Sequence, residues 1–460
     1  MLLCAIIGIS LVSYINLGRG SLTSSNRALY NNAAMNLAEN GLEEAMYSVN
    51  KLVADSSYSF TSDGWTAVGS TDMRRKWTGT TFDQNATGEV RVYIYNYNGT
   101  PRIISRAVVT LGGPSSPTIE KWVEVQLRKA SKFANGLVAK DSIRFSGNNA
   151  SVNSWNSEYN NDGSLRASPV GYSDAVKKDN GSVGSVSVSV DAVLVQNADI
   201  WGYASTGGAL PTVGSNGLVG PYGTTTGTMD PSRVSTDFSA NFDAVSAPTA
   251  TYTNYGGAIT NDESLPRAAD TAAADGYFYY EVTQIAFNNK TLAIKKRASD
   301  AAEPKVIIKL TNTTTSVDIG GGSGELTIAA GAELQLYAPG DVKIAGNGIM
   351  NGGTTASTAN QPIAFQIWGT KTSGTQDISI AGNGVLSALV YAPQGSVKIN
   401  GNGDVCGSVV ANDITVVGNA SFHYDEALGN FGGNNPFRVT SWNELSTSTS
   451  RSPYTALTTF

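Results

Sequence analysis

The chain has 460 residues, enough for two or more structural units. Only 15% of them are charged, against about 25% in an average protein, while glycine supplies 50 positions, a balance that fits a large stacked β-protein. A net charge of −6 leaves no basic patch for nucleic acid, and two cysteines (Cys4 and Cys406) with one histidine make no zinc site unless carboxylates join.

The first eighteen residues, MLLCAIIGISLVSYINLG, carry no charge before Arg19. As a helix they would extend about 27 Å, close to the hydrocarbon thickness of a bilayer. No basic stretch precedes the run and no small-residue cleavage pattern succeeds it, which argues against a secretory signal. Met1, Leu2, Leu3, Ala5, Ile6, Ile7, Ile9, Leu11, Val12, Ile15 and Leu17 would form a surface for lipid or for other helices. Gly18 and Gly20 are expected to loosen the join to the second half of this helix, which is expected over 1–55 as a whole. In that second half Leu37, Leu42, Ala45, Met46 and Val49 recur three and four apart, an apolar stripe that needs a partner. Residues 56–131 supply it. KWTGTTF, EVRVYIYNYNG, RIISRAVVTL and EKWVEVQLRK alternate or run apolar between turns, and Asn98-Gly99 is a strong hairpin signal. They predict an antiparallel sheet lying on the helix, with Val90, Val92 and Ile94 facing one way and Arg91 and Tyr93 the other.

The uncharged front helix, the stretch AAMNLAENGLEEAM (33–46) and the sheet after it together resemble the type IV pilin-like family. The likeness is closest to the minor-pilin subgroup, whose A-E-x-G-L-E-E-A-type motif falls here on Ala38, Glu39, Gly41, Leu42, Glu43, Glu44 and Ala45. The resemblance implies a leader removed by a membrane prepilin peptidase, an N-methylated new terminus, insertion in the inner membrane before assembly, and packing of the helices into a filament core. If the numbering starts at the mature end, Met1 is that terminus. The glutamate that major pilins carry at the fifth mature position is here Ala5. That departure fits a mature end elsewhere than Met1, a different registration, or a minor or initiating subunit.

The rest of the chain repeats. LQLYAPGDVKIAGNG (334–348), FQIWGTKTSGTQDISIAGNG (365–384), LVYAPQGSVKINGNG (389–403) and VVANDITVVGNA (409–420) each read as strand, turn, strand and Gly-Asn turn. The key glycines, Gly346, Gly382, Gly401 and Gly418, predict coils of about 17–20 residues, and Asn347, Asn383, Asn402 and Asn419 would line one corner. Inward residues such as Val342, Ile378, Val397 and Ile414 would stack in columns. GLVAKDSIRFSGNNA (136–150) aligns with GSVVANDITVVGNA (407–420), so the coils begin directly after the sheet. The expected fold is thus an α+β pilin-like unit with a right-handed parallel β-helix after it. Its first rungs would occupy 132–204, a Gly/Ser/Thr-rich excursion 205–275, the main β-helix 276–430 and a tail 431–460. This half resembles a domain of unknown function found on long pilin-like and cell-surface bacterial proteins. Those end in a motif like FHYDEAL, here Phe422–Leu428, and then a tail with a tryptophan, here Trp442.

His423 beside Asp425 and Glu426 could be read as an acid–base or metal cluster. The preferred reading makes Phe422, His423, Tyr424 and Asp425 the cap of the last coil, since a solenoid end must be covered. Asp341, Asp377 and Asp413 recur at one rung position and read as turn residues ahead of calcium ligands. Tyr337 and Tyr391 read as corner packing ahead of sugar platforms. These readings imply a structural subunit of a pilus-like extracellular filament, with no catalytic residue, cofactor or metal. Its expected partners are itself or other pilins, the assembly machinery and, through adhesion by the displayed module, surface glycans. A membrane-anchored adhesin that never polymerises and a polysaccharide-acting enzyme are the alternatives.

Overall fold

In a computed structural model, residues 2–55, 57–83, 86–112, 117–129, 131–147, 150–160, 164–345, 348–351, 361–382, 386–401, 404–418, 420–431 and 436–460 are described, some by backbone alone. Met1, Gly346, Asn347, Asn383, Asn402 and Asn419 lie outside them. The chain forms two units, Met1–Ala130 with Gly432–Phe460, and Ser131–Phe431.

The first unit is built on one helix, Leu2–Ala54. It runs unbroken through Gly18 and Gly20, the two positions expected to loosen its join. About 1 kcal/mol of lost propensity per glycine does not break a helix of 53 residues. Among the described residues no helix is long and apolar enough to cross a membrane. Met1 and the side chains of residues 2–6, 8 and 9, which make up much of the apolar run, fall outside that statement. Ile7, Leu11, Val12, Ile15 and Leu17 are all exposed. Leu37, Leu42, Ala45 and Val49 are buried against the sheet, with Met46 half-buried beside them.

The sheet has six antiparallel strands in the order Thr66–Val68, Asp72–Asp83, Ala86–Tyr95, Arg102–Leu111, Thr118–Lys129 and Phe437–Glu444. Val90, Val92 and Ile94 face the helix, while Tyr93 belongs to the opposite face. The sixth strand corrects the tail expected over 431–460: residues from Gly432 on belong to the first unit and complete its sheet. Phe437 pairs with Lys129, so the chain leaves and re-enters this unit at adjacent strand ends. Asn50 of the helix holds the returning strand by both backbone groups of Phe437, its Nδ2 donating to the carbonyl at 3.2 Å and its Oδ1 accepting from the amide at 2.6 Å. The outer face of the sheet presents Tyr93, Ile104 and Trp122, which water would solvate poorly, and Leu445, Tyr454 and Leu457 of the C-terminus cover it.

The second unit is a stack of parallel strands arranged in ladders. Val342, Ile378, Val397, Ile414 and Ile143 lie side by side, as do Ile344, Ile380, Ile399, Val416 and Phe145, each buried. In-register parallel pairing places like residues over one another, which gives continuous apolar columns. The coil length is less uniform than expected. Tyr277 lies beside Lys305 and Lys305 beside Glu333, an advance of 28 residues, and only later does it fall to 19, from Leu389 to Ser408. The strands keep register while the turns between them change length.

The order of coils in space departs from their order in sequence. Leu137–Phe145 pairs with Asp404–Gly418 on one side, and with Gly181–Ser185 and Val193–Val195 on the other. The chain therefore enters the stack in its interior. It winds to Val234–Ser235, runs back, resumes at Thr253–Asn254 and winds again until Ser421–Asp425 meets Ser151–Trp155. The segment expected as an excursion over 205–275 contains strands of the stack together with the return. On the way back Phe238 packs against Gly184, the carbonyl of Asp243 accepts from the Tyr391 hydroxyl at 3.1 Å, and Val245 and Tyr252 cover Tyr279, Ile307 and Tyr337.

Candidate functional site

The interior meeting of coils overturns the cap reading of Phe422, His423, Tyr424 and Asp425. Strand Ser421–Asp425 is hydrogen-bonded to Asp404–Gly407 on one side and to Ser151–Trp155 on the other, so it is an internal rung. Phe422 and Tyr424 point into the core, and the Tyr424 hydroxyl donates to the carbonyl of Phe133 at 3.3 Å. The alternate residues look outward, which brings His423 next to Asn153, 270 residues away in sequence.

The two carboxylates beside His423 serve the fold. One oxygen of Asp425 accepts from the amides of Ser157 and Ala427, at 3.0 and 3.1 Å. Glu426 accepts from Ser154 Oγ at 2.8 Å and Asn180 Nδ2 at 3.0 Å, with Lys178 Nζ at 3.4 Å. Burial pushes the Asp425 carboxyl up to about 6, against the pull of the Ser157 and Ala427 amides. Because the folded pKa lies above the unfolded one, the charged form costs stability above pH 6, and protonation relieves that cost as pH falls from 6 towards 4. An Asp425→Asn variant keeps an oxygen acceptor but carries no titrating group. Denaturant titrations at pH 7.5 and pH 4 should therefore show the wild type gaining about 2–3 kcal/mol relative to the variant on acidification.

A cleft of about 500 Å³ opens over the outward face of these rungs. Three rungs supply its floor: Ser421 and His423, Ser151 and Asn153, and Trp201 of the strand Asp199–Thr206. Ser151 donates to Ser421 Oγ across the rungs at 3.1 Å. One wall is the loop carrying Tyr172, Ser173, Asp174 and Lys177. Reciprocal backbone bonds between Ser154 and Lys178, at 2.7 and 3.0 Å, pin this loop to the stack. Tyr172 stacks on His423 at 3.5 Å between ring centroids and meets Trp155 edge-on at 5.7 Å. Asn153 Nδ2 donates to the Tyr172 hydroxyl at 3.0 Å, while its Oδ1 lies 2.6 Å from His423 Nδ1, so Nδ1 carries the proton in that bond. The other wall is Tyr222, set 5.2 Å from Trp201 and inclined to it at 44°. Its hydroxyl donates to the carbonyl of Lys178 at 3.1 Å, and burial, with Tyr172, Asp179 and Asp174 nearby, pushes its phenol up to about 12.

Of the residues singled out in sequence, only His423 lines this cleft. Tyr172, Trp201 and Tyr222 escaped notice, although the outward place of Trp201 follows from the alternation in ADIWG once that stretch is read as a rung. Asp341, Asp377 and Asp413 fall in one column, where Asp341 accepts the Asp377 amide at 3.1 Å and Asp413 accepts Ser142 Oγ at 3.0 Å. Among the described residues no group of three or more His, Cys, Asp or Glu side chains could hold a metal ion. Tyr337 and Tyr391 are buried, with Trp368 ringing both. Gly382, Gly401 and Gly418 sit side by side in adjacent rungs, and Gly418 has φ +86°, which favours glycine.

Comparison with known proteins gives two likenesses. Residues 302–431 match the model of a domain of unknown function (DUF7305), a match that ends where the second unit ends. Among solved structures, the competence-associated pilin ComZ of Thermus thermophilus is similar at 11% identity over 89% of this chain and 97% of that one, with a TM-score of 0.25. No curated protein matches.

Proposed function

We propose that the chain is a structural subunit of a type IV pilus-like extracellular filament. Its helix would pack among the helices of neighbouring subunits, and its second unit would be displayed outward. In this reading the second unit is a right-handed parallel β-helix, the hand that parallel crossovers overwhelmingly take. The observation that carries the proposal is the division of one continuous helix. Its rear half is buried against the sheet of its own unit, while Ile7, Leu11, Val12, Ile15 and Leu17 at its front are 45–73% exposed. Such a surface is stable only among lipid tails or other apolar helices. We therefore place the helix in the inner membrane before assembly, after action of a prepilin peptidase, and in the filament core afterwards. The commitment of Asp425 and Glu426 to amides and hydroxyls supports a structural role for the motif around His423.

Shearing of surface material, then electron microscopy with antibody labelling, tests this reading. The chain should appear along or at the tip of filaments. A Leu11→Asp, Val12→Asp variant should enter the sheared fraction at least ten-fold less than the wild type, since a carboxylate within a helical core is costly to bury. Retention of the wild-type chain in membranes alone would instead identify an anchored adhesin.

A further inference from the structure

We propose that the cleft between Trp201, Tyr222 and Tyr172 is a binding site for a neutral saccharide, which rests on the display role proposed above and gives it a ligand. Three features converge. The first is an aromatic pair. Trp201 and Tyr222 stand as two inclined faces, and Tyr222 is 44% exposed, so its ring is open to a ligand. Tyr and Trp combine a broad apolar face with a polar edge, which matches a pyranose ring with its C–H face and rim of hydroxyls. The tyrosine is held in place by its own hydroxyl, bonded to Lys178, so little freedom is lost on binding.

The second feature is the polar floor. Ser151 and Ser421 come from two rungs locked in register and place their hydroxyls close to the aromatic faces, while the buried Asn153 and His423 beside them, bonded to each other, hold Tyr172 in place. A few fixed polar groups beside apolar faces are how small-molecule sites set orientation, and a cavity of about 500 Å³ lies within the usual range of roughly 300–1,000 Å³. The third feature is charge. Besides His423, the charged side chains among the lining residues are Asp174 and Lys177, and these pair at 3.1 Å. An anionic ligand would meet a carboxylate and a cationic one an ammonium, whereas an uncharged sugar meets a compensated pair. Phosphate-bearing ligands need a surplus of cations that the cleft lacks.

The test uses the full chain, unassembled, in micelles of a detergent without a sugar headgroup. Its readout is thereby independent of filament formation, so failure here and failure of the filament reading are separable. Calorimetric titration with cellotetraose, maltotetraose, mannotetraose and tetra-N-acetylchitotetraose should give saturable binding for at least one of them. Tetragalacturonate should bind at least ten-fold more weakly. Trp201→Ala and Tyr222→Ala should each weaken the positive case at least ten-fold. Trp201→Phe, which keeps a ring and guards against a folding artefact, should stay within about three-fold of the wild type. Failure of all four neutral probes, equal binding by Trp201→Ala, or preference for the anionic probe would overturn the assignment.

Discussion

Replacing Phe422 by alanine is expected to lower the stability of the second unit by about 3–5 kcal/mol, the range for deleting a fully buried aromatic ring. Phe422 is 1% exposed and lies in register between Val405 and Val152, where the last strand of the stack in sequence meets Ser151–Trp155, the second strand to enter it. The neighbourhood has no room to collapse, because a Cβ at Gly136 would already lie 3.1 Å from its ring. Denaturant unfolding monitored by far-ultraviolet circular dichroism measures the loss. A residue capping an open end would be half-solvated and would cost far less. A change under about 1 kcal/mol would therefore contradict the internal position of this rung.

The second large effect is expected in the first unit. Gly41→Leu should destabilise the docking of the helix by about 3 kcal/mol or more, at the upper end of what overpacking costs. Even a bare Cβ at this position would lie 2.6 Å from Ser105 Oγ and 2.7 Å from methyl groups of Val90 and Val92. The glycine lets the helix backbone ride directly on the sheet, and leucine brings four heavy atoms to a space that has no room for one. Ordinarily a helix interior gains about 1 kcal/mol when glycine is replaced, so a stabilising effect would be the result if the contact were absent. Amide exchange in strand Ala86–Tyr95 reports the outcome, with protection of Val90 and Val92 falling in the variant. A loss of less than ten-fold in their protection would refute the close approach.

Much of the architecture was legible because it is written in local periods. The stripe Leu37, Leu42, Ala45, Val49 marks a helix with one wet side, and the alternation of Val90, Val92 and Ile94 marks a strand with one dry face. The alignment of 136–150 with 407–420 held more information than expected. The two stretches are neighbours in the stack, with Leu137 beside Val409 and Ile143 beside Ile414. Their likeness is that of adjacent rungs sharing a column. What misled was the assumption that the last repeat in the sequence is the last coil in space. FHYDEAL then read as a cap, and the cleft above it had no reason to exist.

The sequence by itself determined which residues are helical, which alternate into strands, and which apolar side chains must turn inward, because each of these depends on neighbours within a few positions. Only the tertiary structure decided that Phe437–Glu444 completes the first sheet, that Leu137–Phe145 lies inside the stack, and that Trp201, Tyr172 and His423 share one cleft. The physical reason is that a strand edge offers the same row of amides and carbonyls to any partner in register. Which distant edge it meets is settled by the loops between them and by the burial of the whole column, neither of which leaves a periodic mark in the chain.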